Sequence, residues 1–381
     1  MKKILIVFGT RPEAIKMAPL VKRFENYKEY FNVKVCVTAQ HREMLDQVLD
    51  IFEIEPDYDL NIMKKEQDLY DISSNVLLGI KEVLKSFSPE LVLVHGDTTT
   101  TSMTTLASYY QKIKIGHVEA GLRTNNLYSP WPEEGNRLLV GSLATFHFAP
   151  TEESKKNLLL ENKEEKNILV CGNSVIDALF SVLEKIKNDS EKKKNIIDNI
   201  LLKFDKKINI EKSKFILVTG HRRENFGNSF TNICNALKKI ALNNPDIDII
   251  YPVHLNPNVR IPVNKILNNI KNIYLIEPLE YESFIYLMNN SYFIITDSGG
   301  VQEEAPSLGK PVLVIRNTTE RPEALQAGTV KLVGTSQEKI ITESEKLINN
   351  SDYYNSMSKA KNPYGEGKTS KKIIEFLRER L

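Results

Sequence analysis

The chain is poor in the residues that staple a fold, gather metals or cross membranes. Three cysteines, Cys36, Cys171 and Cys234, stand far apart among 381 residues. That excludes a disulfide framework and fits a reducing, cytoplasmic setting. The six histidines, His41, His95, His117, His147, His221 and His254, show no HxH or HExxH spacing, so neither zinc nor another metal is expected. No apolar stretch approaches the roughly 18 residues of a membrane span. The N-terminal MKKILIVFG stops before the basic, proline-containing GTRPE and reads as a strand, not a signal peptide. GxGxxG and the Walker lysine motif are both missing, which disfavours NAD dehydrogenases and kinases. Charge of either sign is not in surplus: 51 Lys and Arg against 49 Asp and Glu leave +2, so no global field is built for nucleic acid or an anionic membrane. Any anion must be bound locally.

What remains is a globular composition, 41% hydrophobic and 26% charged with 17 Gly and 16 Pro, in a chain two to three times the size of one core. Short β-branched runs alternate with helical patterns, which predicts α/β architecture with parallel sheets and crossover helices. Strands are expected at 4–8, 32–38, 90–95, 114–118 and 145–149, with helices after GTRPE and near 41–52, 69–86, 99–111 and 151–161. From about 185 to 213 the chain turns to Lys, Asn, Asp and Ile, a solvated helix or peripheral insertion. The rhythm then restarts, with strands near 215–219, 248–253, 272–276, 292–296 and 311–315 and helices near 229–243, 281–290, 302–308, 321–327 and 337–350. The final SKKIIEFLRERL is helical.

A weak internal symmetry supports two doubly wound, Rossmann-like domains: ILIVFGTRPE at 4–13 and FILVTGHRREN at 215–225 each run from apolar strand through Gly to a basic turn. Both turns belong at carboxyl ends of strands, where open α/β sheets bind ligands, so two such domains facing each other are expected to enclose a cleft.

Four segments depart from what packing selects. In GTRPEAIK, Arg11 and Lys16 flank a helix start that favours an anion such as phosphate; the plainer reading is that Arg11 caps or pairs locally. VHGDTTTT, GHVEAGLR and WPEEGNR place Asp97, Glu119 and Glu133 at strand or loop ends of one sheet edge, a pattern suited to acid/base work. The alternatives are a buried ion pair of Glu119 with Arg123 or Arg137, and a helix surface pair between Glu134 and Arg137. TGHRRENFG puts His221 and two guanidinium groups in one turn, where the imidazole can donate to phosphate or shuttle a proton, or is merely solvated. In TDSGGVQEEAPSLGKP, Ser298, Gly299 and Gly300 precede a helix and let backbone N–H groups approach a diphosphate, while Glu304 can accept ribose hydroxyls. Together they suggest a nucleotide whose sugar end reacts.

Those motifs, with TAQHREMLDQVL, YPVHLNP, TTERPEA and NPYGEGK in the same order, run along nearly the whole chain, and the sequence resembles the non-hydrolysing UDP-N-acetylglucosamine 2-epimerases of the GT-B superfamily. The resemblance implies two Rossmann-like domains, at 1–172 and 173–363, with a C-terminal helix that returns 364–381 to the first. It implies an isomerase without a cofactor, taking a UDP-sugar and acting as a homodimer, which converts UDP-N-acetylglucosamine to UDP-N-acetylmannosamine through 2-acetamidoglucal. Its product would supply N-acetylmannosamine for bacterial surface polysaccharide. Asp97, Glu119, Glu133 and His221 match the family's catalytic groups, without a division of the acids between the two sugar faces. Arg11, Lys16, Arg137, His254, Phe284, Ser298, Gly299, Gly300, Glu304 and Arg321 match its nucleotide-sugar contacts; on pattern alone Phe284, within EYESFIYLM, reads as core.

Some bacterial members are activated by a second UDP-N-acetylglucosamine contacted from the AQHR segment. Gln40 and His41 are retained here, but Glu43 and Glu66 stand where a neutral amide and an arginine are expected, and two added negative charges facing a diphosphate predict weak activation at most. The competing readings are an epimerase of a related UDP-2-acetamido sugar, a GT-B glycosyltransferase, and a sensor that binds without turnover.

Overall fold

Residues 4–8 of the first strand are completely buried, because a parallel strand is covered by helices on both faces and must be apolar on both. In the computed structural model, which describes residues 1–39, 42–64, 66–205 and 208–381, that rule generates two sheets in two compact units. One unit comprises Met1–Ala178 with Tyr364–Leu381, the other Leu179–Pro363.

The first unit holds β1 (Lys2–Phe8), β2 (Phe31–Val37), β3 (Tyr58–Asp59), β4 (Leu91–His95), β5 (Lys114–Val118), β6 (Phe146–Ala149) and β7 (Ile168–Val170). Their order is β3-β2-β1-β4-β5-β6-β7, with every pair parallel. The second unit holds β8 (Phe215–Thr219), β9 (Asp248–Pro252), β10 (Ile273–Ile276), β11 (Phe293–Thr296), β12 (Val312–Val314) and β13 (Val330–Leu332), in the order β10-β9-β8-β11-β12-β13, again all parallel. Both are the doubly wound, Rossmann-like sheets expected. The chain reverses its direction of travel between β1 and β4 in one sheet and between β8 and β11 in the other. At such switch points the connecting segments diverge above the carboxyl ends and leave a crevice.

The strands that the apolar pattern does not reveal are β3, β7 and β13, two or three residues long and each at a sheet edge, where short strands limit unwanted pairing and carry little apolar signal. Helix Glu133–Leu143 begins inside WPEEGNR, whose Pro132 and Gly135 read as loop. Helix Pro257–Leu267 carries a proline at its start and another inside, which masks it.

The Lys-rich stretch forms helix Ser190–Leu201, which buries Ile196 and Ile200 and pairs Lys192 with Glu282 at 2.7 Å, so it packs on its unit instead of standing free in solvent. The last helix, Thr369–Arg380, is held in the first unit at both ends. Asp177 accepts from the Thr369 and Ser370 N–H groups at 3.1 and 2.9 Å, and Phe376 meets Phe146 and Phe148 edge-on. No helix among the described residues is long and apolar enough to cross a membrane.

Candidate active site

At the switch point of the first sheet, TRPE supplies its own architecture. Thr10 caps helix Arg11–Phe24 and accepts from the Glu13 N–H, while Glu13 reaches back to the Thr10 N–H, the reciprocal arrangement that Thr-x-x-Glu encodes. Buried Glu13 does more than cap. Its Oε2 accepts from the Gly9 and Thr10 N–H groups at 3.0 and 2.8 Å and from the Thr10 hydroxyl. Its Oε1 accepts from the hydroxyls of Thr98 at 2.6 Å and Thr101 at 3.1 Å, so the turn after β1 is tied to the one after β4. Burial raises its pKa and those donors oppose the rise. Arg11, half-buried on this turn, makes no ion pair among the described residues.

Glu119 directly follows β5 with φ of 64°, a left-handed conformation that is strained for a residue with a side chain. Its partner is neither Arg123 nor Arg137. Lys16 Nζ donates to Glu119 Oε2, and Asn173 Nδ2 donates to the same oxygen at 2.6 Å. Asn173 is itself fixed by its N–H to the Tyr364 carbonyl at 2.7 Å. His95, at the end of β4, brings Nε2 to 3.8 Å from that carboxylate; burial drives its pKa down to about 4, so the imidazole is neutral. Lys16, expected as a phosphate ligand, therefore also neutralises a candidate acid. Arg123 is engaged elsewhere, in a two-point pair with Glu161 at 2.6 and 2.9 Å.

Asp97, after β4, is held by Arg137, with Nε at 2.9 Å and Nη2 at 2.7 Å from its Oδ2. The same guanidinium donates through Nη1 to Glu134 at 3.0 Å. Glu134 and Arg137 are both buried, which corrects the surface-pair reading: helical spacing makes them neighbours but does not say which face is covered. Glu134 also accepts from the Thr124 and Asn125 N–H groups at 3.0 and 3.1 Å and so shapes the loop that leads to Glu133. Glu133, the first residue of its helix, has a buried Oε2 with no hydrogen-bond partner among the described residues. Three acids on one sheet edge thus have three different surroundings: an arginine, a lysine with an amide, and none.

In the second unit, His221 follows β8 and His254 follows β9, and their rings stack with centroids 5.3 Å apart and 14° between planes. Burial, then Arg222 and His254, push the His221 pKa down, and Asp297 opposes them. Ser298 is the N-cap of helix Gly299–Glu304, so Gly299 and Gly300 form its first turn. Glu304 is buried and accepts from the Tyr281 hydroxyl at 3.0 Å. Arg321 donates to buried Glu303, and a methyl added to Gly299 would lie 3.7 Å from Arg321 Nη2, which places the guanidinium beside the glycine turn. Phe284 is half-buried, not core. Gln40 and His41 lie outside the described residues.

Glu13, Asn173, Asp297 and Glu303, three carboxylates and an amide that hold the candidate groups, are not singled out by the sequence reading. The Thr-x-x-Glu spacing is a sufficient signal for Glu13; the other three act on groups 18 to 76 residues away and leave none.

The model of the UDP-N-acetylglucosamine 2-epimerase family matches residues 24–378. The UDP-N-acetylglucosamine 2-epimerase of Campylobacter jejuni is 65% identical over 376 residues, covering 99% of this chain and 97% of that protein. Among solved structures, UDP-GlcNAc 2-epimerase from Neisseria meningitidis, bound to UDP-GlcNAc, superposes with a TM-score of 0.89 at 53% identity over 99% of this chain and 100% of that one. Acinetobacter baumannii MurG, at 12% identity and a TM-score of 0.58 over the full length of both chains, shares the GT-B fold alone. A family model over nearly all of the sequence, and a relative identical at almost two positions in three, establish that the chain belongs to the UDP-N-acetylglucosamine 2-epimerase family.

Proposed function

We propose that the protein inverts C2 of UDP-N-acetylglucosamine reversibly, giving UDP-N-acetylmannosamine without releasing the free sugar. The C2 hydrogen is not acidic, so its removal must be coupled to departure of the leaving group. A carboxylate takes the proton, the C–H electron pair forms the C1–C2 double bond of 2-acetamidoglucal, and the C1–O pair leaves on UDP. Return of a proton to the opposite face of C2, with re-addition of UDP at C1, completes the inversion. Proton exchange on two faces calls for more than one acid, and cations must stabilise the departing diphosphate.

The observation that carries this reading is the trio Asp97, Glu119 and Glu133 on one sheet edge with three different surroundings, since separated environments are how one site holds groups in different protonation roles. We assign the sugar chemistry to these acids and assistance of the leaving group to His221. Arg11, Lys16, Arg137, His254, Phe284, Ser298, Gly299, Gly300, Glu304 and Arg321 are assigned to binding. That a relative 53% identical binds UDP-GlcNAc supports this substrate. A glycosyltransferase reading has only the MurG fold behind it.

The test is incubation with UDP-N-acetylglucosamine alone in deuterated water, followed by proton NMR. The proposal expects UDP-N-acetylmannosamine carrying deuterium at C2. Free N-acetylmannosamine with UDP would point to a hydrolysing enzyme, and no product without an acceptor to a transferase.

A further inference from the structure

A buried acid that none of the assigned roles uses stands behind His221. Asp297 follows β11, is completely buried, and has no Lys or Arg partner among the described residues. A carboxylate in that position is stable only if its oxygens are hydrogen bonded or face positive charge. Oδ2 meets the requirement, accepting from the N–H groups of His221 and Arg222 at 2.8 Å each and from Asn225 Nδ2 at 3.2 Å. Oδ1 is buried with no hydrogen bond among the described residues and lies 3.6 Å from His221 Nδ1. An orphaned buried oxygen calls for a donor, and this one has an imidazole nitrogen in front of it.

We propose that Asp297 is a positioning residue for His221, accepting the Nδ1 proton through Oδ1 so that the neutral ring is the Nδ1–H tautomer with Nε2 at its opposite edge. At 3.6 Å the contact is longer than a hydrogen bond. Such contacts in ligand-free enzymes are often long and tighten in the substrate complex. The His221 N–H already holds the same carboxylate at 2.8 Å, which keeps the ring beside it.

The groups facing the imidazole are Asp297 from the end of β11, Arg222 from its own turn and His254 from the segment after β9. Arg222 and His254 work with burial against a second positive charge, and Asp297 is the group that favours it. His254 Nδ1 accepts from the Asn256 N–H at 3.1 Å, so a neutral His254 carries its proton on Nε2, and the stacked rings hold opposite tautomers. The proposal deepens the assignment of His221 to the leaving group and rests on it for its catalytic consequence.

The variant is D297N in the full chain. Asparagine keeps the size and leaves an oxygen for the two backbone N–H groups, but it turns an N–H toward the ring and so favours the other tautomer. Multiple-bond proton–nitrogen spectra of 15N-labelled protein, with His221 assigned from H221Q, read the tautomer without substrate. The wild type is expected as Nδ1–H and D297N as Nε2–H, with a lower His221 midpoint in the variant. Turnover should fall about 10- to 100-fold, with its basic limb moved to lower pH and UDP affinity unchanged.

An Nε2–H tautomer in the wild type overturns the proposal even if D297N does not fold. So does a D297N spectrum with the wild-type tautomer and midpoint. If the tautomers are as expected while the deuterated-water experiment shows no exchange at C2, the dyad stands and the epimerase reading fails.

Discussion

The two units solve the same structural problem in different ways. Each must fix a basic turn after its first central strand, and each does so with a buried carboxylate that accepts two backbone N–H groups. In the first unit the acid is Glu13, three or four residues from the groups it holds; in the second it is Asp297, 75 or 76 residues away. A local solution is encoded in a spacing and a distant one only in a topology. Treatment of charge also differs. The first unit sets its cations against carboxylates of its own, Lys16 on Glu119 and Arg137 on Asp97 and Glu134, and buries three neutral histidines. The second leaves His254 exposed and His221 only partly covered, with 43% of its side chain accessible.

If the first unit carries the proton chemistry, Glu119→Gln and Asp97→Asn should each lower turnover by about 10³-fold or more while UDP affinity, measured by calorimetry, stays near that of the wild type. Near-normal turnover in either variant removes that acid from the mechanism and breaks the contrast.

The next effect is on stability. Arg137→Met leaves buried Glu134 without its cation and should cost about 3–5 kcal/mol, read from urea unfolding followed by the fluorescence of Trp131, the chain's single tryptophan. A loss under about 1 kcal/mol would mean that the pair behaves as a surface one after all.

Acid should weaken the first unit before the second. Burial pulls the pKa values of His95, His117 and His147 from 6.5 to about 4, 3 and 4. Each folded-state value lies below the unfolded one, so the unfolded chain binds more protons in this window. Stability is therefore full above about pH 6.5 and declines as pH falls toward 4, by about 1–2 kcal/mol per histidine at pH 5. An unfolding midpoint reported by Trp131 that is unchanged between pH 7.5 and pH 5 contradicts this.

The smallest effect belongs to the turn of the second unit. Gly227 has φ of 82°, and a methyl there would meet nothing within 4 Å. With ψ of −133° as well, this backbone is strained for any residue with a side chain, so Gly227→Ala should cost about 1–3 kcal/mol of backbone strain alone; a much larger shift in thermal midpoint would show that the turn is packed more tightly than its surroundings suggest.

Both sheets were legible because a strand covered on two faces has to be apolar throughout, and runs such as 91–95 and 215–219 carry that signature plainly. The edge strands β3, β7 and β13 were not, being too short to hold an apolar pattern. The helix that begins at Glu133 was hidden by Pro132 and Gly135, residues that usually break helices. Periodicity put Phe284 in the core because a helix pattern counts apolar positions without knowing how much of each the neighbours cover.

By itself the sequence determined the alternation of strand and helix, the capping box at Thr10 and Glu13, and the chemical types gathered at strand ends, all properties of neighbours along the chain. Tertiary structure decided the partners. Lys16 meets Glu119 at a separation of 103 residues, Arg137 meets Asp97 at 40, and Asp297 lies behind His221 at 76. Charges are paired by distance in space and by the loss of water around them, and neither quantity exists until the sheets have formed.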